Sequence, residues 1–179
     1  MSKNILVIST SLRNNSNSEI LANSFISGAQ AAGNSVEKIT LKDKNIAFCK
    51  GCLACQKTKK CIINDDAVEI ADKMCNADVI VFATPIYYYE MSGQMKTLLD
   101  RANSLFARDY SFRDIYFLAT AAEDGEYVPE KAVRGLNGWI DCFEKARLAG
   151  TVFIGGVGAP GEINENPKLQ IAFDMGKSV

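Results

Sequence analysis

Between Ala77 and Thr84 the chain reads Ala-Asp-Val-Ile-Val-Phe-Ala-Thr, an almost wholly apolar run closed by Pro85. A strand with one wet face alternates apolar and polar residues, whereas a run without alternation has to be covered on both faces. The usual home for such a strand is a parallel sheet with helices packed above and below it. The flanking segments agree. Asn4 to Ser9 reads as a first strand, followed by a Ser/Asn-rich loop and helical spacing from Glu19 to Ala32; Val36 to Leu41 reads as a second strand. A helix is expected from Asp65 or Asp66 to about Cys75, with Glu69 in capping-box position, which makes the double acid structural rather than catalytic. Ala77 to Thr84 is the third strand, with Pro85 expected to stop it. Helical spacing returns over Met91 to Ser104, a fourth strand over Asp114 to Thr120, a long helix over Pro129 to Leu148, a fifth strand over Thr151 to Ile154, and a closing helix over Pro167 to Gly176.

The 179 residues, 47% of them hydrophobic, suffice for one core and one domain spanning 1–179, and no repeat or linker divides them. The near balance of 20 Lys and Arg against 21 Asp and Glu gives no reason to expect nucleic acid or an anionic membrane as partner. No segment reaches membrane-spanning length, and six cysteines with no recognisable secretory leader point to a reducing cytoplasm. Histidine is absent, which removes Ser-His-Asp and Cys-His machinery and directs attention to a bound cofactor as the source of reactivity.

Two polar loops are expected at the carboxyl ends of the first and third strands. The first, Ser9 to Ser18, runs directly into a helix N-terminus; its hydroxyls, the free N–H groups and Arg13 together suit a dianionic phosphate. The competing reading is an ordinary polar loop with Ser16 or Asn17 as N-cap. The second, Pro85 to Gly93, carries Tyr87, Tyr88 and Tyr89, which can flank a flat heteroaromatic ring, with Ser92 and the backbone at Gly93 able to reach its polar edge. Gly156, Gly158 and Gly161 formally match a dinucleotide fingerprint, but Pro160 interrupts it and too little chain follows.

Cys49, Cys52, Cys55 and Cys61 fall within thirteen residues in the spacing C-x2-C-x2-C-x5-C. A zinc ribbon separates two C-x2-C knuckles by about fifteen to twenty residues, so the compact run resembles iron–sulfur ligation more than structural zinc. Reduced thiols, or a cycling C-x2-C disulfide, remain alternatives. Cys75 and Cys142 sit in helical stretches and read as buried small residues, and Trp139 reads as packing.

These features together resemble the NADPH-dependent FMN reductase group of the flavodoxin superfamily, and within it the iron–sulfur flavoproteins. The resemblance rests on Ser11 to Ser18, on Phe48 to Asp66 with its four cysteines and double acid, on Thr84 to Arg101 with Pro-Ile-Tyr and Ser-Gly-Gln-Met-Lys, and on the Gly-Ala-Pro-Gly tail segment. It implies a three-layer α/β sandwich with a five-stranded parallel sheet of order 2-1-3-4-5. It also implies that Ser11, Arg13, Ser16, Asn17 and Ser18 hold an FMN phosphate; that Pro85, Ile86, Tyr87, Tyr88, Met91, Ser92 and Gly93 line the ring and ribityl chain; and that Thr120, Ala121 and Ala122 form the third side. Cys49, Cys52, Cys55 and Cys61 become ligands of a 4Fe-4S cluster relaying electrons to FMN. The activity implied is that of an FMN-dependent oxidoreductase drawing on NAD(P)H or a ferredoxin-type donor, with a small-molecule or protein acceptor; apart from the resemblance, Tyr87 to Tyr89 and the cysteine loop, as apolar surface near one rim, give the expectation of a homodimer or higher homo-oligomer. A non-enzymatic flavodoxin-type electron carrier is the alternative.

Overall fold

The computed structural model describes residues 2–179. In chain order the elements are β1 (Asn4–Ser9), α1 (Asn17–Ala31), β2 (Ser35–Thr40), α2 (Ala54–Thr58), α3 (Asp66–Asn76), β3 (Val79–Tyr87), β4 (Glu90–Met91), α4 (Gly93–Arg101), β5 (Asp114–Thr120), α5 (Glu130–Ile140), β6 (Arg147–Ile154) and α6 (Leu169–Lys177). Short 3-10 turns follow α4, over Ala102–Ala107, and precede α6, over Glu162–Glu165. The sheet order is β2-β1-β3-β5-β6, parallel throughout, with β4 pairing antiparallel to β3 off this path.

The expected double covering is present. Leu6 and Ile8 of β1, Ile80 and Phe82 of β3, and Ile115 and Phe117 of β5 enter a core shared with Ile70, Met74, Met95, Leu98, Leu136 and Ile140. Their alternates Ile5, Val7, Val79, Val81 and Leu118 meet Leu21, Phe25 and Ala172 on the other face. There α1 and α6 approach backbone to backbone. A Cβ on Gly28 would lie 1.9 Å from the Phe173 carbonyl oxygen, and one on Gly176 would lie 2.0 Å from that of Phe25, so only glycine fits at either point.

Several expectations need correction. The sheet has six strands, not five, because Tyr88 and Tyr89 make a two-residue turn that folds Glu90 and Met91 back onto Ile86 and Tyr87. Both turn residues have positive φ, 51° and 65°, the conformation of the tight hairpin turn that usually takes Asn-Gly. Pro85 does not stop β3: it pairs with Thr120, and since β1 ends at Ser9 opposite Ala83, no neighbour on that side needs its missing N–H. The helix expected to run to Leu148 ends at Ile140; residues from Arg147 are drawn into the sheet by pairing with β5, which outweighs their helix propensity. Cys142 is consequently in a turn and exposed, whereas Cys75 is buried as expected. Trp139 does pack, edge-on to Phe82 and tilted against Phe143.

Candidate functional site

The loop after β1 folds into a cradle at the head of α1. Ser16 is the N-cap, its Oγ accepting from the Glu19 N–H at 3.2 Å. That leaves the N–H groups of Asn17 and Ser18 with no intrahelical acceptor, and the positive end of the helix dipole faces the same point. Ser18 Oγ is buried and has no hydrogen-bond partner among the described residues. An unmade hydrogen bond of this kind costs about 1–3 kcal/mol. A buried, unpartnered hydroxyl on the first turn of a helix is what a site for an anionic group requires, and the donor set fits a phosphate.

The cavity at this cradle has a volume of about 150 Å³. Ser11, Arg13, Ser16, Asn17 and Ser18 line it, together with Pro85, Ile86 and Tyr87 from the end of β3 and Thr120, Ala121 and Ala122 from the end of β5. The topology makes this meeting inevitable: β1, β3 and β5 are neighbours, and all three loops leave the carboxyl edge. Val157 and Gly158, not among the expected site residues, complete the lining. Asn17 fastens their loop, its Nδ2 donating to the Val157 carbonyl at 3.2 Å and the Ala159 carbonyl at 2.9 Å, while its Oδ1 accepts from the Ile163 N–H at 3.3 Å. Arg13 Nη1 donates to the Gly158 carbonyl at 3.0 Å. The Glu162 carboxylate accepts from the N–H groups of Gly158 and Ala159 at 2.7 and 2.8 Å, and these two bonds hold its pKa below the usual range.

Tyr88, Met91, Ser92 and Gly93 do not line this cavity. Tyr88 points into solvent at 98% exposure. Met91 packs inward, its Cε near Gly135 of α5. Ser92 is fully buried, with its N–H donating to Thr84 Oγ1 at 3.1 Å and its Oγ bonded to Thr10 Oγ1 and the Met95 N–H, so its groups are already paired. Gly93 opens onto a separate groove of about 390 Å³ beside Leu12, Lys42 and Phe48. The hairpin tip is tied down by Tyr89, whose hydroxyl donates to Glu123 Oε2 at 3.0 Å and whose ring lies under Lys131 Nζ at 5.2 Å; Tyr127 also hydrogen-bonds Glu123. A carboxylate just past β5, opposite a tyrosine-rich loop, was the signal for this contact.

All four cysteines of the compact run line one cavity of about 350 Å³, with Asp100, Arg101 and Asn103 on its other wall. Cys55 is buried, Cys61 half-buried, and Cys49 and Cys52 exposed. Among the described residues no group of three or more His, Cys, Asp or Glu side chains is placed to hold a metal ion. Four thiols lining one cavity are the donor set that an iron–sulfur core would draw on. The cysteine loop follows β2 and flanks the C-terminal end of α4, nine residues or about 13 Å along the helix from Ser92.

Arg101, not among the residues expected in a site, lines the same cavity. Its side chain is fully buried, and its guanidinium forks onto Asp65, Nη1 to Oδ2 at 2.6 Å and Nη2 to Oδ1 at 2.8 Å. The same nitrogens donate to the carbonyls of Ala47 at 2.7 Å and Ile63 at 3.0 Å, which bracket the cysteine run. Burial alone would raise the Asp65 carboxyl pKa; the bonds from Arg101 and from the Ala47 and Ala67 N–H groups outweigh it and hold the pKa low. Asp65 is also the N-cap of α3, so the double acid is structural as expected. Arg101 fell three residues after Leu98 on a helix face carrying Met95 and Ala102. A charge inside a buried stripe was the available signal.

A doubly wound parallel sheet with an anion cradle at its first crossover defines a flavodoxin-like flavoprotein class. The chain belongs to the NADPH-dependent FMN reductase family, whose sequence profile matches residues 3–143. It is 37% identical over 101 residues to an iron-sulfur flavoprotein of Methanocaldococcus jannaschii, a match covering 56% of this chain and 52% of that relative, so the chain spans about half of that relative's length. An iron-sulfur flavoprotein of Methanosarcina thermophila is 27% identical over 161 residues, covering 89% of this chain and 81% of the other. Among solved structures, an NAD(P)H:quinone oxidoreductase from Methanothermobacter marburgensis superposes with a TM-score of 0.72 at 15% identity, over 99% of this chain and 97% of that one. An azoreductase from Bacillus anthracis does so with a TM-score of 0.72 at 15% identity, over the whole of both chains. These structural likenesses establish the fold.

Proposed function

We propose that this protein is an FMN-dependent oxidoreductase that oxidises NAD(P)H and passes the electrons to a small-molecule or protein acceptor, with a 4Fe-4S cluster on Cys49, Cys52, Cys55 and Cys61 as a relay. The observation that carries the flavin assignment is the buried, unpartnered Ser18 hydroxyl at the head of α1, inside a cavity walled by the ends of β3 and β5. Bound FMN would supply the electron-transfer chemistry. The protein's part is positional: Ser11, Ser16, Ser18 and the first-turn N–H groups would donate hydrogen bonds to the phosphate, while Arg13 and Asn17 hold the Val157–Ile163 loop beside the cavity. Pro85 to Tyr87 and Thr120 to Ala122 shape the slot that continues toward the ring. No side chain is assigned as acid or base.

The cluster reading is supported by the four thiols on one cavity, by the iron-sulfur flavoprotein name of the relatives, and by the donors on the opposite wall. A ferredoxin-type donor would then be able to replace the nicotinamide. No helix of the described residues is long and apolar enough to cross a membrane, and a reducing cytoplasmic setting keeps the thiols available. We also place a second subunit over the rim where Leu12, Phe48, Tyr87 and Tyr88 stand exposed; a monomer by light scattering of the FMN-loaded protein rules this out.

Steady-state oxidation of NADH and NADPH by FMN-loaded protein, with a quinone or ferric acceptor, tests the enzymatic reading. Turnover with either nucleotide supports it; a flavin that is reduced chemically but never by nicotinamide makes the protein an electron carrier.

A further inference from the structure

Arg101 has five N–H groups, and the structure uses four of them. The two on Nη1 go to Ala47 and Asp65, and the two on Nη2 go to Ile63 and Asp65. The fifth, on Nε, is fully buried and has no partner among the described residues. Arg101 and Cys61 line the same cavity. Across the same wall Asn103 Nδ2 donates to Cys55 Sγ at 3.2 Å. Asn103, in the turn after α4, therefore already serves one sulfur, while Arg101, at the end of α4 and lining the same cavity, has an idle N–H.

We propose that Arg101 and Asn103 are the positioning donors of the cysteine-held group, Arg101 Nε–H serving the sulfur side of Cys61 and Asn103 Nδ2 that of Cys55. This rests on the reading that the four cysteines hold an iron–sulfur cluster. Arg101 acts in two directions. Its Nη fork ties the backbone on both sides of the cysteine run, at Ala47 and Ile63, to Asp65 and the helix, which fixes where the thiols stand before anything binds. Its Nε–H is then the donor left over for an anionic sulfur in the cavity that Arg101 and the four cysteines line. Hydrogen bonds to cluster sulfurs stabilise the more negative, reduced state and so raise the reduction potential, as outer-shell donors do at metal centres generally. Lysine cannot substitute: it carries the charge without the planar fork.

The test uses full-length, FMN-loaded protein reconstituted anaerobically with iron and sulfide, comparing wild type, Arg101→Lys and Asn103→Ala by iron and sulfide content, FMN content and the cluster's midpoint potential. Wild type should take up about four irons and four sulfides. Asn103→Ala should take up the same number with a midpoint potential more negative than wild type, a shift that a merely structural side chain would not cause. Arg101→Lys should lose at least half of its iron while keeping its FMN. If Arg101→Lys also loses FMN, its fold has failed and the potential of Asn103→Ala decides. A loaded wild type with both variants matching it in iron and potential overturns the inference alone; a wild type that takes up no iron and sulfide overturns the cluster reading and the inference with it.

Discussion

Thr10 Oγ1 and Ser92 Oγ stand 2.9 Å apart in a position fully closed to solvent, joining the loop after β1 to the N-terminus of α4. The pair pins the loop at the head of α1 to the helix that carries Arg101 at its other end. Ser92 also caps α4 through the Met95 N–H and is held by Thr84 Oγ1. Ser92→Ala removes the cap and leaves Thr10 without its bonded partner, so a loss of about 1–3 kcal/mol in denaturant unfolding is expected. FMN affinity should change little. A large loss of affinity at unchanged stability would show instead that Ser92 touches the flavin.

The idle hydroxyl of Ser18 gives a cleaner test of the cradle. Ser18→Ala should weaken FMN by about 1.5–3 kcal/mol, the range for a hydrogen bond to a charged group. The stability of the flavin-free protein should hold or rise, since a buried unpartnered group is removed. Titration calorimetry with FMN and with riboflavin separates the terms: only FMN has the phosphate, so equal losses for both would place the phosphate elsewhere.

Acid should loosen two contacts. The carboxyls of Asp65 and Glu162 both have folded pKa values below their ordinary ones, Asp65 against the opposing push of burial and Glu162 through two backbone N–H bonds. A depressed carboxyl contributes stability that is present above its unfolded pKa, about 4, and is lost as pH falls through the lower folded value. Stability should therefore be flat in this contribution near neutrality and fall below about pH 4. Asp65→Asn should cost about 3–5 kcal/mol at pH 7 because it strands the buried Arg101 charge. It should also flatten the acid limb; an acid limb identical to wild type would remove Asp65 from the account.

The contact between α1 and α6 allows no side chain at Gly28 or Gly176. Gly28→Ala forces the two helices apart and should destabilise by about 1–3 kcal/mol or more, despite alanine's better helix propensity. Thermal unfolding reads this directly, and a variant as stable as wild type would show that α6 can shift freely.

Much of this architecture was legible because it follows from local rules. The unalternating Val79 to Ala83 run required helices on both faces, and the loops after β1, β3 and β5 then had to meet at one edge, which is why Ser11, Arg13 and Ser16 to Ser18 line one cavity with Pro85 to Tyr87 and Thr120 to Ala122. What stayed hidden was decided by tertiary pairing. The β3–β4 hairpin turns on two tyrosines at positive φ, which no turn preference favours, and with that fold Met91 and Ser92 leave the cavity for the core. Residues 141–148 carry helix-compatible composition, and only the open edge of β5 makes the last of them a strand. The fork of Arg101 on Asp65 joins positions 36 residues apart, beyond any spacing rule.

The central claim is that the head of α1 holds the phosphate of a mononucleotide flavin. Mass spectrometry of the flavin released by denaturation, after the protein has been incubated with equal excesses of FMN, FAD and riboflavin and freed of unbound ligand, tests it most directly. The account requires FMN at close to one per chain. FAD in its place, or no retained flavin, would contradict it.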